Sequence, residues 1–68
     1  MKLKEYLRAN KLTQNLFIRS AELKTGHKFP QGTLAKYLLE QRYPRKKELN
    51  IIYQATDGLV TPNDFYLD

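Results

Sequence analysis

Apolar residues recur at helical spacing along nearly the whole chain, and nowhere do they alternate with the two-residue period of a strand. Leu3, Tyr6 and Leu7 begin the pattern and predict a helix from Lys2 to about Ala9. Asn10-Lys11 breaks it, and Thr13 restarts it as an N-cap whose hydroxyl can accept from a free backbone N–H. Leu12 and Phe17 flank that cap at the positions of a hydrophobic staple. Leu16, Phe17, Ala21 and Leu23 or Lys24 carry the stripe onward, so a second helix is expected from Gln14 to about Lys24. Gly26, able to take the left-handed conformation, closes it.

A third helix is expected from Pro30, suited to a first helical turn, to about Glu40. Leu34, Tyr37 and Leu38 fall on one side of it, and Gln31, Thr33 and Lys36 mainly on the other. Tyr43-Pro44 stops it, because a residue before proline avoids the α region. Leu49, Ile52, Tyr53 and Thr56 then mark a fourth helix from about Arg45 to Thr56, ended by Asp57-Gly58. Finally Thr61 as cap, Pro62, Asp64 three residues on, and the Val60/Phe65 pair predict a short fifth helix over about Pro62 to Leu67. The fold expected is all-α: a compact bundle of about five short helices, one domain over residues 1–68, with helix, tight turn and helix at its centre.

Length changes this picture little. A chain of 68 residues buries only about 60% of its unfolded surface, so its core is thin. Without cysteine there is no disulfide, thiolate nucleophile or Cys-based zinc site. His27 is the sole histidine and has no sequence-local Ser or acid beside it; capping and solvation account for Asp57, Asp64 and Asp68. Neither an enzyme, a cofactor, a metal nor a small-molecule substrate is expected. No apolar run nears the roughly 20 residues of a membrane span, and MKLKEYLRAN lacks a signal-peptide core. A cytoplasmic protein is expected.

Charge changes the picture more. The net +5 is concentrated: residues 24–47 hold seven Lys and Arg against Glu40 alone, while the rest holds five bases and six acids. Cations gathered around one amphipathic helix are the footprint of a polyanion partner. Gln and Lys can hydrogen-bond base edges, and a Thr methyl can touch a thymine methyl. The same pattern also fits a helix whose outer face is merely solvated.

Taken in order, Leu12-Thr13-Gln14 with Phe17, then Thr33-Leu34-Ala35-Lys36-Tyr37-Leu38, then Arg42-Tyr43-Pro44 resemble the Cro/C1-type, lambda-repressor-like helix-turn-helix domains. The tail Ala55-Thr56-Asp57-Gly58 and Val60 to Phe65 is similar to the end of many such domains in small phage and bacterial regulators. The resemblance covers nearly the whole chain. It implies a sequence-specific, double-stranded DNA-binding transcriptional regulator, a repressor that occupies an operator and associates with the nucleoid. On that pattern Gln31, Gly32, Thr33 and Lys36 are the base-reading positions, Gly32 through close approach rather than a side chain. Lys11, Gln14, Lys28, Arg42, Tyr43, Arg45 and Lys46 are expected at phosphates, Gln14 also bracing the third helix. Arg45 stands where a helix dipole disfavours a cation, a conflict that phosphate bound at that end relieves.

Two departures are visible. Between Gln14 and Thr33 the chain is about five residues longer than the family's unit, so the second helix has an extra turn or the connection is a true loop. Where the family often has Asn-Gly or Arg-Gly after its third helix, this chain has Leu39-Glu40, and no phosphate contact is carried onto them. One reading helix per chain points to a homodimer on half-sites about 34 Å apart, its interface placed at Phe65, Tyr66 and Leu67. Two rivals remain: an antitoxin-type DNA-binding protein with a toxin partner, and a small protein-interaction module without DNA function.

Overall fold

The computed structural model describes residues 1–65, and among these every regular element is helical. Four α-helices are present: α1 over Leu3–Ala9, α2 over Gln14–Thr25, α3 over Gln31–Leu38 and α4 over Lys46–Ala55. A single 3-10 turn, Pro62–Asp64, follows them. Four helices and a turn therefore replace the five helices expected. The start signal at Thr61 does form: its amide and its hydroxyl both donate to Asp64 Oδ2, at 2.8 and 3.0 Å. The turn then tightens, with Asp64 N–H donating to Thr61 O and Phe65 N–H to Pro62 O, and Phe65 packs onto the core. Tyr66 and Leu67, expected at the end of that helix, lie outside the described residues.

Helix starts follow local chemistry. Thr13 Oγ1 accepts from Leu16 N–H at 3.2 Å, the cap expected of it. Glu5 Oε1 accepts from Lys2 N–H at 3.0 Å and so closes the start of α1. Pro30 is the residue before α3 rather than its first member, extended at φ −62 and ψ 140.

Helix ends share one device. After α1, α3 and α4 the chain passes through a left-handed residue that is not glycine: Lys11, Glu40 and Asp57, at φ 54, 59 and 55. In each case the next amide reaches back to satisfy a terminal carbonyl: Leu12 to Leu7, Gln41 to Lys36, Gly58 to Tyr53. Only α2 ends on a left-handed glycine, Gly26.

The core gathers Leu3, Tyr6 and Leu7 of α1, Phe17, Ile18 and Ala21 of α2, Leu34 and Tyr37 of α3, Ile52 and Ala55 of α4, with Phe29 and Val60. Along α2 the buried stripe is Phe17, Ile18 and Ala21, so Leu16 and Leu23, expected within it, stand about 50% and 80% exposed. Among the described residues Thr56 is the buried polar one; its hydroxyl donates to Ile52 O and accepts from Val60 N–H, which satisfies it. α2 packs on both α3 and α4, and α4 packs on the 3-10 turn. The radius of gyration, 10.6 Å, is that of a compact chain of this length, about 10.9 Å.

A candidate nucleic-acid interface around α3

α3 presents its outer side because α2 holds its inner one. With Leu34 and Tyr37 buried, 100° steps place Gly32, Lys36 and Leu39 opposite the core, and all three are exposed. This crest has two flanks. On the first, Gln31 shares a hollow with Asn15 and Ile18 of α2 and with Lys28 and Phe29 of the connecting loop. Further along that side, Gln14 shares a second hollow with Leu12, Ala35 and Leu39. On the other flank, Thr33 shares a groove of about 330 Å³ with His27, Arg42, Tyr43, Arg45 and Glu48. α3 is thus a ridge between the start of α2 and the start of α4.

The connection before α3 is a real loop. α2 runs to Thr25, and residues 26–30 bridge to α3. Thr25 Oγ1 donates to Ala21 O at 2.7 Å and accepts from His27 N–H at 3.2 Å, which fixes the loop's departure. Phe29, 1% exposed, anchors its far end. The His27 ring stands edge-on to Phe29 at 4.7 Å, and Phe29 stands edge-on to Tyr37 at 6.3 Å. Lys28, next to that anchor, is exposed beside Gln31.

Of the expected base-reading residues, Gln31, Gly32 and Lys36 are exposed and Thr33 is partly buried on the α4 side. Of the expected phosphate residues, Lys28, Arg42, Tyr43 and Arg45 are exposed and line the hollows beside the ridge, Gln14 is half-buried against it, and Lys46 is exposed at the first position of α4. Lys11 is exposed at the left-handed end of α1, directly before Leu12 of the second hollow. Phe65, expected at a dimer interface, is partly buried and packed against its own core. Lys24 leaves the basic group altogether. Its Nζ donates to Ala55 O at 3.2 Å and pairs with Asp57 at 3.3 Å, capping the C-terminal end of α4. Arg45 and Lys46 stand at the other end of that helix, about 15 Å away.

Three contributors were missed from sequence: Asn15 beside Gln31, Leu39 on the crest, and Glu48 in the groove. Only Glu48 had a signal, as an acid in the first turn of a helix that begins with three cations. Its Oε1 is buried with no hydrogen-bond partner among the described residues. Burial, and then the Glu48 carboxylate, push the Tyr37 phenol above its ordinary value, while Arg42 and Arg45 pull the other way.

α4 opens without a side-chain cap, Arg45 standing at its N-cap. Arg45, Lys46 and Lys47 are exposed at the end where the backbone N–H groups are free, with Glu48 of the first turn as the acid beside them. Among the described residues no cluster of His, Cys, Asp or Glu is suited to a metal, and no helix is long and apolar enough to cross a membrane. No protein-family model, curated protein or solved structure matches the chain.

Proposed function

We propose that this chain is a sequence-specific, double-stranded DNA-binding regulator in which α2 and α3 act as a helix-turn-helix of the Cro/C1 type. α3 enters the major groove, Gln31 and Lys36 address base edges, and Thr33 and Gly32 sit against the duplex. Gln14 and Lys28 on one flank, and Arg42, Tyr43, Arg45 and Lys46 on the other, meet the phosphates of the two groove walls. One observation carries this reading: the exposed crest of α3 lies between two rims from different elements, both supplied with groups that bind phosphate. A solvated helix has no need of such rims.

Selection from randomised duplexes in dilute buffer tests the proposal. A shared site, two-fold symmetric if the protein binds as a homodimer, is the expected result, and affinity falls steeply with salt as phosphate counterions are displaced. Recovery of no common sequence would sink it.

A second reading keeps the DNA site and adds a protein partner of antitoxin type. The exposed Leu16 and Leu23, two turns apart on the outer flank of α2, favour it. Leu23→Lys then leaves DNA affinity intact and abolishes capture of that partner.

A further inference from the structure

Gly32 is a residue whose identity the fold leaves unexplained. Gly26 and Gly58 are accounted for by φ of 79 and 82, and Gly58 also lies under the Tyr53 ring, where a Cβ would come to 3.3 Å. Gly32 has neither reason. Its φ is not left-handed, and a Cβ built there meets nothing within 4 Å. It nonetheless occupies the first turn of α3, where alanine is the better helix former, though by less than in a helix interior. A stabilising methyl group would fit and is absent.

What the missing side chain changes is outside the molecule. Gly32 lies on the crest, with Gln31 beside it and Lys36 one turn on. Two long polar side chains thus border a bare stretch of backbone. We propose that Gly32 is a specificity determinant: the notch it leaves lets the main chain of α3 rest against the base edges of the duplex, within reach of Gln31 and Lys36. A side chain at this point holds the ridge off the groove floor and lengthens every contact beside it. The inference rests on the DNA reading above and adds to it a steric requirement.

Gly32→Ala and Gly32→Val, compared with the parent on the selected duplex and on random duplex, form the test. Gly32→Ala raises the melting temperature by up to roughly 4 °C, as removal of an unneeded first-turn glycine should. Its affinity for the selected duplex falls by roughly tenfold or more, the scale of a lost base contact, and Gly32→Val falls further. Affinity for random duplex, held through phosphates, stays within about twofold. A lower melting temperature for Gly32→Ala would show that the fold itself needs the glycine and would overturn the proposal. Equal binding of the selected duplex by parent and variants overturns it while leaving the DNA reading standing, as does an equal loss on both duplexes. A parent that binds no duplex removes both.

Discussion

Glu40 sits in a conformation that a side chain resists. The left-handed region costs an L-residue about 1–2 kcal/mol, and Glu40 holds φ 59 so that Gln41 N–H can reach Lys36 O. Glu40→Gly is therefore expected to stabilise the fold by about 1 kcal/mol, a rise of roughly 4–8 °C on melting. An unchanged or lower melting temperature would show the residue to be held by something other than the turn. A different pair of residues divides the work of binding. On the DNA reading proposed above, Lys36 on the crest is assigned to bases and Arg45 on the rim to backbone. Lys36→Ala should weaken the selected duplex more than random duplex, and Arg45→Ala should weaken both about equally. Indistinguishable losses in a competition assay contradict that division.

At the scale of the element, α4 has two ends with opposite duties. Its start carries Arg45 and Lys46 on the proposed phosphate rim, and its finish receives Lys24. Lys46→Gln is expected to reduce the dependence of log affinity on log salt by about one. Lys24→Gln should leave that slope unaltered and cost only a few tenths of a kcal/mol in stability, because its ion pair is largely exposed. A reduced slope for Lys24→Gln would place it on DNA after all. Sequence gave no hint of this parting of Lys24 from Lys28: four residues apart in one basic run, they are separated by the left-handed turn at Gly26. What could be read was local. Thr13 capped α2 as its hydroxyl chemistry required, and the limits of α4 fell within a residue of expectation. What could not be read depended on neighbours. Leu16 fits a helical stripe as well as Ile18 does, and the packing of α2 on α3 and α4 selects between them. The turn at Pro62–Asp64 had every sign of a helix start, yet among the described residues it is a 3-10 turn with Phe65 packed on the core. The ridge and flanks of α3 were legible as residue types; which residue lay on which flank was not.

The whole molecule is closed by a contact between sequence-distant segments. The Met1 ammonium donates to Leu59 O at 3.1 Å and pairs with Asp64 at 3.0 Å. Burial tends to raise the Asp64 carboxyl, but the Thr61 amide, that ammonium and the Thr61 hydroxyl outweigh it and hold the group below its ordinary value. The unfolded chain thus binds this proton more readily than the folded one. The corresponding stability is complete above about pH 4 and is lost as pH falls through the lowered value. Asp64→Asn should lower stability at neutral pH by about 1 kcal/mol and flatten this part of the acid limb, measured by denaturant melts across pH. An acid limb identical to the parent's would remove Asp64 from the account. The three left-handed helix ends carry a further implication for how such a chain changes over time. None of Lys11, Glu40 and Asp57 lies on the crest of α3, so replacing them with glycine removes no side chain from it and keeps the backbone turn by which Gln41 N–H satisfies Lys36 O. A lineage holding such unspent robustness can rewrite its reading residues, even at some injury to the helix that bears them, and still fold.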